Sequence, residues 1–175
     1  MPPSNPKDQR PQSALRRSFR LALILAAAWA LAGAGGGDNA LPLPRFVSLH
    51  APKANVRTGP GVRYPVDWVL VRKGMPVEIV AEFEHWRKIR DWQGTEGWVH
   101  QSMLSGSRTA VIMTEVRALR RSADPQAPVI ARLEPGVIGR VLSCEGTWCR
   151  LDAAGFKGWI PRGEIWGVSA DEKLD

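Results

Sequence analysis

The stretch Asn55-Val-Arg-Thr-Gly-Pro-Gly61 decides the fold, because part of it returns later in the chain. Asn55-Val-Arg57 matches Ala118-Leu-Arg120 at a spacing of 63 residues. Further matches follow at spacings that drift only to 61 residues, and they are Pro65 with Pro128, Gly74 with Gly136, Trp86 with Trp148, and Gly97-Trp98 with Gly158-Trp159. An internal repeat of about sixty residues indicates two copies of one fold.

The repeat divides the chain into two domains, at about residues 45–106 and 107–168. The drift in spacing predicts length changes in two loops, one near Val66-Asp67 and one between Ile89 and Gly97. We expect a signal peptide at 1–34, a linker at 35–44 and a frayed acidic tail at 169–175.

Each unit consists of short apolar clusters separated by turn residues. In the first unit the clusters are Phe46–Leu49, Trp68–Val71, Val77–Phe83, Trp86–Ile89 and Trp98–Val99. Strand-length apolar clusters separated by turn residues predict a small all-β barrel or sandwich. A module of this size buries only about 60% of its unfolded surface, so we expect the two units to pack together.

These motifs resemble the bacterial SH3-like (SH3b) domain family. The similar positions are Asn55–Gly61 with Tyr64-Pro65, the Gly74 turn, Trp86–Ile89 and Gly97–Val99, and then Leu119-Arg120, Pro128-Val129, Gly136, Trp148–Leu151 and Gly158–Ile160. The resemblance implies two tandem small SH3-like β-barrels that together cover about 124 of 175 residues. Such modules are similar to wall-targeting or peptide-binding domains of exported proteins, and the fold does not specify the ligand.

The N-terminus has the organisation of a secretory signal. A basic segment precedes the 13-residue apolar run Leu21–Gly33, which is shorter than the roughly 20 residues of a membrane-spanning helix. We expect cleavage after Ala34, or alternatively after Ala30, and a periplasmic or other extracytoplasmic location. Arg16-Arg17-Ser18-Phe19 resembles a twin-arginine export signal, and the simpler alternative is a basic Sec signal. Membrane contact is expected only through an uncleaved signal.

Charge argues against a nucleic-acid partner. The formal net charge is +7, but from residue 35 onward 19 Lys and Arg oppose 16 Asp and Glu. Interspersed charge of this kind is typical of an ordinary soluble surface.

Cys144 and Cys149 flank Glu145–Trp148, and a two-residue turn at Gly146-Thr147 places them opposite each other in a hairpin. That non-hydrogen-bonded pair brings the Cα atoms near the range of a disulfide, which we predict for an oxidising compartment. The aligned residues of the first unit, Glu82 and Arg87, form an opposite-charge pair. A catalytic thiol is disfavoured because the second unit contains no histidine, and the cysteine spacing does not fit zinc.

Aromatic residues differ between the units. Tyr64, Trp68 and Trp92 align with Ala127, Ile130 and roughly Ala153, whereas Trp86 and Trp98 are present in both units. We predict a peptide groove lined by Tyr64, Trp86 and Trp92, with carboxylate contacts from Arg57, Arg63 and Arg90. The alternative is that Trp92 caps the barrel end and Tyr64 fixes its own loop.

The chain is interpreted as a non-enzymatic protein without cofactor or metal. His50, His85 and His100 are expected at the surface, and two barrels leave too little chain for a catalytic domain. The predicted ligand is a peptidoglycan stem peptide or an extended peptide of an envelope protein, with the second unit as a stabilising partner. The alternative function is a structural accessory of an envelope assembly that binds no small ligand.

Overall fold

A computed structural model describes residues 41–174 of the chain. The signal segment predicted at 1–34 and most of the linker at 35–44 lie outside the described residues. The segment from Pro42 onward forms one compact unit that contains two β modules.

The first module contains seven strands. They are β1 (Arg45–Leu49), β2 (Ala54–Arg57), β3 (Val66–Leu70), β4 (Pro76–Phe83), β5 (Trp86–Arg90), β6 (Glu96–His100) and β7 (Leu104–Ser105). A 3-10 turn at Gln101–Met103 joins β6 to β7. The strands pair antiparallel in the order β3-β2-β6-β5-β4-β1-β7.

The second module repeats this architecture. Its strands are β8 (Thr109–Ile112), β9 (Arg117–Arg120), β10 (Val129–Leu133), β11 (Ile138–Glu145), β12 (Trp148–Ala153), β13 (Phe156–Pro161) and β14 (Ile165–Trp166). Their order is β10-β9-β13-β12-β11-β8-β14, which is the order of the first module strand for strand. The prediction of two tandem all-β modules is therefore confirmed.

Each module has its own apolar core. The buried side chains of the first core include Leu49, Val56, Val77, Ile79, Ile89 and Val99. Those of the second include Ile112, Leu119, Leu133, Leu151 and Ile160. Along β6 buried and half-buried residues alternate, as expected for a strand with one face toward a core.

The two modules contact each other directly. The Phe46 ring meets the Trp166 ring edge-on, with centroids 4.9 Å apart, and the Arg108 guanidinium lies 5.9 Å from the centroid of Phe46. The Thr109 hydroxyl donates to the Gly74 carbonyl at 2.7 Å. Aromatic burial and a satisfied hydrogen bond join the modules, which are small enough to gain from the shared surface.

One predicted loop change is misplaced. In both modules the spacing stays at 63 residues through β3 and β10, because Val56 pairs with Trp68 as Leu119 pairs with Ala131. The length change therefore falls between Leu70 and Gly74, and Trp68 corresponds to Ala131 rather than to Ile130. Both edge strands contain a bulge, which sequence spacing alone does not reveal.

The C-terminal segment is ordered against the second module rather than frayed. The Cys144 amide donates to the Leu174 carbonyl at 2.9 Å, and Leu174 packs on the second core. Arg162 Nη1 donates to the Glu172 carbonyl at 2.9 Å, and Arg108 Nη2 donates to Glu172 Oε2 at 2.8 Å. Two arginines thus hold the acidic tail.

Candidate functional site

A surface groove of about 330 Å³ crosses the first module. We call it the Trp86 groove, and its lining is Lys53, Asn55, Arg57, Val62, Trp86, His100 and Met103. Strand alternation forms it: β2 buries Val56 in the core and therefore directs Asn55 and Arg57 to the opposite face.

The Trp86 ring is fixed by its cross-strand neighbour. Trp86 at the start of β5 pairs with His100 at the end of β6, and the two rings meet edge-on at 5.5 Å. His100 Nδ1 accepts a hydrogen bond from the Ser102 amide at 3.3 Å and lies 2.8 Å from the Ser102 hydroxyl. The groove therefore has a rigid aromatic wall.

The charged residues of the Trp86 groove are basic. Lys53 is exposed, and Arg57 Nη1 donates to the carbonyls of Val62 and Tyr64 at 3.1 and 2.7 Å. Arg57 thereby holds the loop that forms one wall while keeping its charge at the groove. A basic cleft with one aromatic wall is suited to carboxylate ligands with an extended backbone.

The second module carries a groove at the equivalent position, with a volume of about 310 Å³. Trp148 and Arg120 take the places of Trp86 and Arg57, and Arg120 Nη1 donates to the Ala127 carbonyl at 2.8 Å. The charge of this groove differs from that of the Trp86 groove, because an acidic residue, Glu164, lines it. The Glu164 carboxylate lies 3.8 Å from the Arg117 guanidinium. Sequence reasoning missed this groove, although the retained tryptophan and arginine were the signal for it.

Tyr64 and Arg63 lie in the loop beside the Trp86 groove. The Tyr64 ring covers Gly59, where a Cβ would come within 2.4 Å of Tyr64 Cδ1. The Arg63 guanidinium lies 5.3 Å from the centroid of the Tyr64 ring. Both side chains order this loop, and the Tyr64 carbonyl is the acceptor that engages Arg57.

Trp92 and Arg90 lie at the other end of β5 from Trp86. Four residue steps along a strand separate Trp86 from Arg90 by about 13 Å. Trp92 sits in a turn in which Asp91 Oδ1 accepts from the amides of Gln93 and Thr95, both at 2.9 Å. The structure thus brings Arg57 and Trp86 together and places Trp92 and Arg90 at a separate end.

Arg90 is engaged by carboxylates in that region. Arg90 Nη2 contacts Glu96 Oε1 at 2.7 Å, and Arg90 Nη1 contacts Glu78 Oε2 at 3.4 Å. Hydrogen bonds from Lys88 and then Arg90 lower the pKa of Glu96, and the hydrogen bond to Glu96 raises the pKa of Arg90. The positive charges of Lys88 and Arg90 are therefore balanced by the carboxylates of Glu78 and Glu96.

The predicted hairpin contacts are present in both modules. Cys144 and Cys149 form a disulfide at paired positions of β11 and β12, with Cα atoms 4.1 Å apart. Glu82 and Arg87 occupy the same pair in β4 and β5, and Arg87 Nε contacts Glu82 Oε1 at 2.9 Å. The same site in each module therefore carries a cross-strand link.

Within residues 41–174, no cluster of three or more His, Cys, Asp or Glu side chains has the geometry to hold a metal ion. The same part of the chain contains no helix long and apolar enough to cross a bilayer.

Paired seven-strand modules of this topology, each with a tryptophan-walled groove, define a tandem SH3-like protein. The family model for the bacterial SH3 domain matches the chain twice, at residues 50–106 and 115–167. The chain therefore belongs to the bacterial SH3 domain family.

Two solved structures from Trichomonas vaginalis are similar to part of the chain. NlpC2 is 13% identical with a TM-score of 0.34, over 72% of this chain and 49% of that one. NlpC1 is 9% identical with a TM-score of 0.34, over 75% of this chain and 48% of that one. The chain thus spans about half the length of each. A comparison with curated proteins gives no match.

Proposed function

We propose that this protein is an exported, non-enzymatic binding protein whose Trp86 groove holds an extended peptide bearing carboxylates. The observation that carries the proposal is the combination of one rigid tryptophan wall with two charged lining residues, Lys53 and Arg57, that are both basic. The stem peptides of peptidoglycan, or an extended segment of an envelope protein, provide such a ligand.

The chemistry of the lining supports this ligand class. A flat aromatic ring supplies contact area at low entropic cost, and arginine and lysine bind carboxylates through charge-assisted hydrogen bonds. Asn55 adds an amide that suits a peptide backbone. The order of the loop above the groove depends on Tyr64 and Arg63, which therefore support binding indirectly.

The disulfide and the signal segment support an extracytoplasmic location. Disulfides persist in the periplasm and outside the cell, whereas the cytosol keeps thiols reduced. Export of the chain would also place the groove in the compartment that contains peptidoglycan.

The test is co-sedimentation of the exported protein with purified peptidoglycan. We expect the wild type to sediment, and Trp86→Ala and Lys53→Glu to remain in the supernatant. Lys157→Glu is the matched control, because it makes the same charge change at an exposed position on β13. Trp92→Ala tests whether the far end of β5 takes part in peptidoglycan binding. Circular dichroism verifies the fold of each variant.

Equal sedimentation of Trp86→Ala and wild type would refute recognition through this groove. If the wild type itself does not bind, a structural accessory of an envelope assembly becomes the better account, and a protein partner is then sought by cross-linking at the same surface.

A further inference from the structure

The edge strand β3 is unusually apolar for an exposed strand. Among residues 41–174 it pairs with β2 alone, so its other edge presents unpaired backbone groups. The exposed fractions are 42% for Val66, 56% for Trp68, 43% for Val69 and 69% for Val71. An edge of this kind is a template for a further strand.

The fold does not require this exposure. In the equivalent edge strand β10, Ala131 replaces Trp68 and the charged, exposed Arg132 replaces Val69. A charged side chain on an edge strand is a common protection against unwanted pairing. The exposed charge of β10, Arg132, thus takes the position of Val69, whereas the exposed charge of β3, Asp67, lies at the bulge near the start of the strand. From Trp68 to Val71 the edge of the first module carries no charge.

A cavity adjoins the exposed edge. It has a volume of about 140 Å³ and is lined by Trp68, Val69 and Leu70 of β3, by Val56 and Ile89 of the core, and by Asp91, Gln93 and Thr95 of the β5–β6 turn. An apolar cavity of about 150 Å³ accepts a molecule of the size of benzene. This cavity is therefore large enough for one leucine or phenylalanine side chain.

Charges flank the edge on both sides. Arg63 precedes β3 and Arg72 and Lys73 follow it, all exposed, while Asp67 is the one acid in the segment. Asp91 places one carboxylate at the polar end of the cavity wall, where its Oδ1 accepts from the Gln93 and Thr95 amides. Charge complementarity favours an apolar segment with acidic residues at its ends.

We propose that β3 binds an extended segment of a partner polypeptide as an added strand, with one apolar side chain in the cavity and acidic residues beside Arg63 and Lys73. In this mode the backbone hydrogen bonds supply affinity and the pocket supplies specificity. The site differs from the Trp86 groove, since Val56 points toward the cavity while Asn55 and Arg57 point to the other face of β2.

The probe is the acetylated and amidated peptide Glu-Thr-Val-Leu-Val-Thr-Glu, titrated into the protein purified after export and measured by calorimetry. We expect binding that Trp68→Ala weakens at least about tenfold, as for a central aromatic contact, and that Val69→Lys abolishes. The control Val129→Ala, on the exposed edge of the second module, leaves affinity unchanged. Trp86→Ala also leaves it unchanged, which separates this site from the proposed wall-binding groove.

Backbone pairing is tested with the same peptide methylated on alternate amide nitrogens along each edge in turn. One of the two methylated peptides must lose binding, and equal binding by both refutes strand addition. Absence of binding by the unmodified peptide also overturns the proposal. Sedimentation velocity provides the remaining outcome: a dimer that Trp68→Lys dissociates would show that a second copy occupies the edge and would overturn the proposed partner.

Discussion

The Tyr64 ring lies directly on Gly59, so closely that a Cβ on residue 59 would meet Tyr64 Cδ1 at 2.4 Å. The second module has Ser122 and Ala127 at the two corresponding positions, and Ala127 is buried. A side chain at the first position is thus accompanied by loss of the ring at the second. The same loop is therefore packed by glycine and tyrosine in the first module and by serine and alanine in the second.

This complementarity predicts a rescue. Gly59→Ala alone should destabilise the protein by about 1–3 kcal/mol, because the added methyl group overpacks the loop. Adding Tyr64→Ala should recover part of that loss, since it removes the clashing ring. A double-mutant cycle measured by urea unfolding gives the coupling energy, and simple additivity of the two substitutions would contradict the direct contact.

We predict that a side chain at the glycine of either Gly-Trp pair destabilises the protein. A Cβ on Gly158 would lie 2.6 Å from the Arg120 carbonyl oxygen, where β13 crosses β9. Gly158→Ala should therefore cost about 2–3 kcal/mol of unfolding free energy. Gly106→Ala is the control, because nothing lies within 4 Å of the added methyl group. Equal thermal stability of the two variants would be incompatible with this account.

Features that depend on residues close together in the sequence, such as turns and hairpin registers, could be predicted well. The two-residue turn at Gly146-Thr147 sets the hairpin register and thus the Cys144–Cys149 pair. Trp86 and Trp92 are close in sequence, but the extended strand between them carries Trp92 away from the Trp86 groove. The ordered tail depends on Arg108 and Glu172, which are 64 residues apart and carry no local signal.

The disulfide should stabilise the second module. Closing so short a loop contributes about 2 kcal/mol in the chain-entropy description. The double substitution Cys144→Ala and Cys149→Ala should lower the unfolding free energy by that amount, and a reducing agent should affect the wild type but not the variant. Unfolding followed by calorimetry checks both expectations, and a variant as stable as the oxidised wild type would contradict them.

The proposed export predicts a processed N-terminus. Mass spectrometry of the protein recovered from the extracytoplasmic fraction should show a chain that begins after Ala34, or after Ala30 if the second site is used. Replacing Ala32 and Ala34 by bulky residues should cause the precursor to accumulate, because signal cleavage requires small residues. A mature protein that keeps residues 1–34 would contradict the assignment. Blocking the Sec and twin-arginine routes separately identifies the one in use.

The contact between Arg108 and Glu172 should make stability depend on pH. The hydrogen bond from Arg108 lowers the pKa of Glu172 below its ordinary value of 4.5. The unfolded chain therefore binds a proton more readily, so the stabilisation is complete above pH 4.5 and is lost as the pH falls through the lower, folded pKa.

At neutral pH, Glu172→Gln should lower the free energy of unfolding by about 1 kcal/mol and should flatten the acid limb of the stability profile. Glu115→Gln is the control, since the Glu115 side chain is 71% exposed and contacts Arg117 at 3.2 Å. Urea unfolding from roughly pH 7 to roughly pH 3 measures both variants, and parallel profiles for Glu172→Gln and wild type would show that this carboxylate does not link protonation to folding.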